Sequence, residues 1–414
     1  METSICANCG KSYPVGETVR MGDSVVCFSC VERAYLDHRD AADKLRMARR
    51  IQKRGRLTPS VIKDYLDQYI IGQEYAKKMI SLAVYNHYKR LSVNKQIAKG
   101  EGNGYTELEK TNIIMCGRTG SGKTAIFRAI ANFLKVPFAT FDMSSVSGSG
   151  YIGADCEGCI QRLLQAADGD VAAAEQGIVF LDEIDKKSRK GENPSISRDV
   201  SGESVQQEIL KIIEGTIVNV PARGQRMTPG ATVTQVNTKD VLFVLAGAFE
   251  GIEQIIAKRQ HKHHGTIGFG SELQDKDCSD YNKYILDLRT EDLRKFGMIP
   301  ELLGRVPLIC PFLELSKDEY IRILNEPKNA LLKQYRTMLR VDGSDLEVTD
   351  AGYDLIVKKA AERKTGARAL RAILEETLGL SMFSIPDEKD PGILIIDAEG
   401  DKLVVKTRQE FSGT

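Results

Sequence analysis

No sign of charge dominates this chain of 414 residues. Its 58 Lys and Arg stand against 57 Asp and Glu, for a net charge of +1. That balance argues against a protein held to nucleic acid mainly by bulk charge. Long apolar runs are also missing: the best, around Val241–Phe249, falls far short of the roughly 18 residues a membrane-crossing helix needs. Met1–Lys11 has no basic segment leading into an apolar one, so no secretory leader is expected and the expected compartment is cytoplasmic. The nine cysteines are an odd number, and thiols in that compartment stay reduced, which disfavours a disulfide framework. At 42% hydrophobic and 28% charged residues, the composition excludes wholesale disorder. At roughly 150 residues per domain, the length suggests two or three domains.

Four of the cysteines cluster as Cys6-x2-Cys9 and Cys27-x2-Cys30, with 17 residues between the pairs. Each CxxC turn presents two thiolates to one ion, and two turns complete a tetrahedron, so the spacing predicts Zn²⁺. A segment this small cannot fold on an apolar core, and metal binding would supply its folding energy. No spare His lies between the knuckles, which points to a structural site.

The rest of the chain reads in blocks. Residues 1–40 form the zinc module. Residues 41–58 form a basic linker carrying Lys44, Arg46, Arg49, Arg50, Lys53, Arg54 and Arg56. Thr58-Pro59 offers an N-cap and a first-turn proline, predicting a helix to about Tyr69. Ile70-Ile71-Gly72-Gln73 breaks it. A second helix follows, with Ala76, Met79, Ile80, Ala83, Val84 and Leu91 at helical spacing. From Asn112 the pattern alternates strand and helix: strands at Asn112–Cys116, Val136–Phe141 and Ile178–Leu181, helices at Ala125–Leu134 and Ile160–Ala167. Such alternation implies α/β architecture with a parallel sheet. A large α/β domain is thus expected over 59–314. A small helical domain over 315–414 opens at the capping box Ser316-x-x-Glu319, continues in helices at Ala351–Arg363 and Ala367–Phe383, and closes with a β-hairpin, Ile393–Ile396 and Leu403–Val405.

Two motifs carry chemistry. Gly117-Arg118-Thr119-Gly120-Ser121-Gly122-Lys123-Thr124 fits G-x4-G-K-[ST] between an expected strand and an expected helix. Its glycines let backbone amides approach phosphates. Lys123 supplies a point charge, Thr124 a ligand for Mg²⁺, and the helix N-terminus a favourable dipole. The second motif, Ile178-Val179-Phe180-Leu181-Asp182-Glu183, ends an apolar strand where a magnesium-organising Asp182 and a water-polarising Glu183 are wanted. Together they predict ATP hydrolysis but not its purpose.

With those motifs, Ile70-Ile71-Gly72-Gln73, Leu181-Asp182-Glu183-Ile184-Asp185-Lys186, Arg198–Glu203 and Lys364-Thr365-Gly366-Ala367-Arg368 resemble the ClpX family. These are AAA+ unfoldase subunits of the Clp protease. The likeness runs from Cys6 to about Lys406 and includes the zinc module. It implies a homo-hexamer that threads protein substrates through a central pore into the ClpP peptidase, with adaptor proteins docking on the zinc module. Gly150-Tyr151-Ile152-Gly153 is similar to the family's first pore loop, Arg198–Glu203 to the second, and Arg226 to the loop at the pore mouth. Arg305 matches an arginine acting on the neighbouring subunit's nucleotide. Arg368 matches the sensor arginine, and Ile70 and Ile71 the adenine-pocket segment. Ile267-Gly268-Phe269 matches the tripeptide that docks on ClpP.

The chain departs from the family at Arg118, usually Pro, and at Ala369, usually Gly. At the pore mouth, Met227 and Thr228 follow Arg226 where the family carries Lys and His, which bears on tag preference. Cys156 and Cys159 read as a helical coincidence, with redox activity or metal binding the alternative, and the His261, His263 and His264 cluster as a polar loop, with metal binding the alternative. A P-loop ATPase acting on DNA through a zinc finger is the rival from another class. The near-zero charge argues against it.

Overall fold

The computed structural model describes residues 3–9, 11–14, 18–21, 24–28, 30, 57–102, 104–146, 156–188, 200–221, 233–263, 281–363, 365–388 and 391–408. Met1–Val61 and Ile62–Thr414 form two compact units.

In the first unit, β1 (Thr3–Ile5) pairs antiparallel with β2 (Ser12–Pro14), and β3 (Thr18–Met21) with β4 (Ser24–Cys27). Its buried cluster is Cys6, Cys27 and Cys30, backed by Tyr13 and Val26. So little apolar mass leaves the thiols themselves at the centre. Thr58 caps helix α1 (Pro59–Leu66): the amide of Val61 donates to its hydroxyl at 3.4 Å. The helix ends three residues before the expected Tyr69, in turns that carry the chain to Ile70.

Within the second unit, α1 is followed by helix α2 (Glu74–Ala98). The parallel sheet follows from short apolar runs that are buried on both faces. Strand β5 (Ile113–Cys116) leads through the glycine loop into α3 (Lys123–Leu134). Next come β6 (Phe138–Asp142), helix α4 (Gly158–Ala166), β7 (Ile178–Asp182) and helix α5 (Val200–Glu214). An antiparallel hairpin, β8 (Ile217–Pro221) and β9 (Val233–Asn237), intervenes before β10 (Leu242–Gly247) and β11 (Leu308–Pro311). The five-stranded order is β11-β5-β10-β7-β6, all parallel. The glycine loop therefore leaves the sheet where β5 is flanked by β10 and β11, outside the carboxyl ends of the strands. That is where open α/β sheets bind ligands.

Among the described residues, two apolar clusters bear on the site. One packs the sheet through Phe141, Leu181, Phe243 and Leu245. The other lies beyond Leu315 and gathers Leu324, Leu332, Leu339, Ile356, Leu370 and Leu374. Its helices are α6 (Lys317–Asn325), α7 (Leu331–Val341), α8 (Asp350–Glu362) and α9 (Arg368–Ser384). The capping box forms as expected: the amide of Glu319 donates to Ser316 Oγ at 3.2 Å, and the amide of Ser316 to Glu319 Oε2 at 2.8 Å. The hairpin β13 (Ile393–Glu399) and β14 (Lys402–Thr407) gains a third strand, β12 (Asp345–Val348), parallel to β13. Among the described residues, no helix is long and apolar enough to cross a membrane.

Candidate functional site

A cavity of about 550 Å³ opens at the end of the glycine loop. Thr119, Gly120, Gly122, Lys123 and Thr124 line it from the loop, Asp182 and Glu183 from the end of β7, and Arg368 from the start of α9. Gly120 (φ 78°) and Gly122 (φ 98°) adopt left-handed backbone, which glycine enters without penalty. Gly117 has no room for a side chain, because a Cβ there would lie 2.4 Å from Phe312 Cβ. Ser121 is buried, its hydroxyl unpartnered among the described residues.

Lys123 is buried, and its ammonium donates to the carbonyls of Gly117 and of Arg118, the latter at 3.0 Å. Burial pulls its pKa below the usual lysine value, against the opposing carboxylate of Asp182. A buried ammonium hydrogen-bonded to neutral carbonyls gains by exchanging them for anionic oxygens. The donor set thus fits the phosphates of ATP. Asp182 is half-buried and accepts from the amide of Glu183 at 3.1 Å. Glu183 is exposed to the cavity on left-handed backbone, φ 58° and ψ 35°. A non-glycine residue held there is a strained position of the kind found at catalytic centres. Two carboxylates at the end of β7 are oxygen donors of the kind a hard cation such as Mg²⁺ takes.

Other expected residues lie beside the cavity. Arg118 is exposed, pairs with Glu314 and lies 4.7 Å from the Tyr281 ring centroid. Ile70 and Ile71 do not line the cavity, but their segment is tied to the glycine loop. Gln73 Nε2 donates to Ser121 O at 3.4 Å and to Leu313 O at 2.8 Å, and its Oε1 accepts from the amide of Leu313 at 3.0 Å. Arg305 follows the short helix Pro300–Gly304, outside the cavity, and pairs with Glu214 at 2.9 Å. Tyr151, Ile152, Arg198, Arg226, Ile267, Gly268 and Phe269 lie outside the described residues, as do Met227, Thr228, His264 and the side chains of His261 and His263. Cys156 and Cys159 are buried in the apolar core of the sheet, which suits the helical coincidence better than a metal.

The second centre is built by the four cysteines. Their sulfurs all lie within 4.8 Å of one another, with Cys9 and Cys27 at 3.9 Å. Zinc–sulfur bonds of about 2.3 Å in a tetrahedron put sulfurs about 3.8 Å apart, so the set fits Zn²⁺. The amide of Cys27 donates to Cys6 Sγ at 3.4 Å, and backbone donors of this kind bring the Cys6 thiol down to about 6. Its neighbour Cys30, facing Cys27, is pushed up to about 12. Four thiols so close cannot all ionise alone; a divalent cation removes the conflict.

Several features of the site could not be read from sequence, although Glu183, Gln73 and Asp185 lie in motifs quoted above. The left-handed Glu183, the tie through Gln73, and Asp185 and Arg371 in the cavity wall depend on contacts between distant segments.

Comparison with known proteins adds an independent line. The family model described as AAA domain (Cdc48 subfamily) matches residues 108–309. The model described as the C-terminal, D2-small domain of ClpB protein matches residues 315–386. The chain is 44% identical over 387 residues to the ATP-dependent Clp protease ATP-binding subunit ClpX of Bacteroides thetaiotaomicron, covering 92% of this chain and 91% of that protein. The same identity and coverage hold for the subunit of that name from Bacteroides fragilis. The DNA-acting alternative finds no support among these relatives.

Proposed function

The chain belongs to the ClpX family of ATP-binding subunits of the ATP-dependent Clp protease, and from that premise we propose that it unfolds protein substrates and threads them into a ClpP peptidase. The observation that carries this reading is the convergence of Lys123, Asp182 and Glu183 with Arg368 on one cavity. Lys123 opens α3 after the glycine loop, Asp182 and Glu183 stand at the end of β7, and Arg368 comes from the helix that opens beside the second core. A nucleotide held there touches both, so its hydrolysis can change the angle between them.

The roles follow from placement. Lys123 holds the β- and γ-phosphates, and the amides of the glycine loop orient them. Asp182 and Thr124 would hold Mg²⁺, which would neutralise charge on the phosphates. Glu183 accepts a proton from the attacking water. Arg368 senses the nucleotide from the small core. Arg305, paired here with Glu214, swings to a neighbour's site in a hexameric ring. Tyr151, Ile152, Arg198 and Arg226 grip the substrate along the axial channel, and Ile267-Gly268-Phe269 docks on ClpP. The zinc module recruits substrates and adaptors in the cytoplasm, where its thiols stay reduced. Zone boundaries at 40, 58 and 314 separate the zinc module, linker, large domain and small domain. Peptide-bond cleavage belongs to the partner.

Measuring ATPase rates with an unfolded protein and with DNA tests this reading. Stimulation by the protein alone is expected. Stimulation by DNA alone overturns it.

A further inference from the structure

Asp185 stands two residues beyond Glu183 and has no role in the scheme above. It is buried, with 7% of its surface exposed, and it lines the nucleotide cavity. Its two carboxylate oxygens have different surroundings. Oδ2 accepts from the amide of Phe249 at 3.2 Å. Oδ1 has no hydrogen-bond partner among the described residues. A buried carboxylate oxygen without a donor is costly, so its position calls for a ligand.

The Phe249 contact matters too. Phe249 sits just past the end of β10 on left-handed backbone, φ 51°. Its neighbours Ala248 and Glu250 line the cavity. Gly247 lacks a side chain where one would collide: a Cβ there would lie 2.6 Å from Asp185 Oδ1. The carbonyl of Gly247 also accepts from the amide of Gly117 at 3.2 Å. Asp185 therefore ties the turn after β7 to the turn after β10, whose Gly247 in turn holds the root of the glycine loop.

We propose that Asp185 is a positioning residue for the magnesium: Oδ2 fixes the turn after β10, and Oδ1 accepts a hydrogen bond from water held on the metal beside Asp182. This rests on the nucleotide-site reading. An acceptor in that place orients the water shell of a hard cation, which keeps several waters when it binds through one carboxylate and phosphates. Outer hydrogen bonds of this kind typically govern metal affinity by about ten- to a hundredfold.

The test compares D185N with the native full-length chain. Asparagine keeps a carbonyl oxygen for the Phe249 amide but places an NH₂ group where Oδ1 stood. Binding of a fluorescent ADP analogue is measured in EDTA and across a Mg²⁺ titration, beside the Mg²⁺ dependence of ATPase. D185N should bind nucleotide in EDTA as the native chain does. Its Mg²⁺ midpoint should rise about tenfold in binding and in hydrolysis. An unchanged midpoint in D185N overturns the inference. A native chain that shows no Mg²⁺-dependent nucleotide binding overturns the nucleotide reading instead. Should D185N fail to fold, D185S, which also removes the Oδ1 acceptor, gives the same comparison.

Discussion

Gly120 of the glycine loop and Gly366 of the segment before α9 face each other with no room for a side chain on either. The amide of Ala367 donates to Gly120 O at 3.2 Å. A Cβ on Gly120 would lie 2.2 Å from Thr365 O, and one on Gly366 would lie 2.7 Å from Thr119 O. Both glycines have positive φ. The loop that grips phosphate is thus in backbone contact with the segment that carries Arg368, and movement at one is felt at the other.

Gly366→Ala tests that contact outside the phosphate-binding motif itself. The new methyl meets backbone, which cannot move aside as a flexible side chain can, and the left-handed conformation adds about 1 kcal/mol of strain. Nucleotide affinity should fall at least about tenfold, with the far-UV circular dichroism unchanged. Titration with a fluorescent ADP analogue reads it; native affinity in Gly366→Ala means that the contact is not coupled to the site.

Arg305 and Glu183 can be separated by mixing. The account places Arg305 in trans and Glu183 in cis, so Arg305→Ala and Glu183→Gln rings should each be nearly inactive as ATPases. Mixed rings should regain activity at interfaces that pair an intact Glu183 with an intact neighbouring Arg305. Mixing that restores nothing, under conditions where subunits exchange, places Arg305 elsewhere.

The zinc module should behave independently of the ATPase. One zinc per chain is expected by metal analysis, and Cys27→Ser should lose it. Chelation should unfold the module and leave ATP hydrolysis at its native rate, because Met1–Val61 forms a unit apart from Ile62–Thr414. A preparation free of zinc after gentle purification, yet with a folded module, contradicts the assignment.

His87 gives a pH signature. It is buried on α2, and desolvation, reinforced by the positive charges of Arg90 and Lys110, lowers its pKa to about 3. The unfolded chain takes up this proton near pH 6.5 and the folded chain does not. Between those values the unfolded state binds more protons, so stability rises with pH there and is lost as pH falls below 6.5. The slope is up to about 1.4 kcal/mol per pH unit. Lys110, lowered to about 7 chiefly by burial, adds a second rise between about 7 and 10.5. Denaturant midpoints from pH 5 to 6.5 should flatten in His87→Leu. An equal slope in both chains removes His87 from the cause.

Much of this architecture was legible because it is written locally. The glycine loop, the apolar strand ending in Asp182-Glu183, the paired CxxC turns and the Ser316–Glu319 capping box each fix their structure within a few residues. What escaped depends on distant partners. Strand β12 is a four-residue segment, half of it charged, that becomes a strand only by pairing with β13. Helical periodicity found the apolar face of α2 but missed that Lys77, His87 and Arg90 share it. Arg90 tolerates burial through its ion pair with Asp240 at 3.0 Å, and Lys77 through one with Asp67 at 2.6 Å. Counting apolar residues cannot reveal such pairs.

The chain's partner interface has its own test. Phe269→Ala should abolish stimulation of ClpP while leaving unfolding intact, because a small apolar anchor is remote from the nucleotide. Peptide release by ClpP beside loss of substrate fluorescence separates the two; full proteolysis by Phe269→Ala defeats the docking assignment.

The most direct test of the account is the fate of a folded, tagged fluorescent protein mixed with this chain, ClpP and ATP. The account predicts ATP-dependent loss of fluorescence and release of peptides, both abolished by Glu183→Gln. Fluorescence that persists while ATP is hydrolysed, or that falls equally with Glu183→Gln, contradicts it.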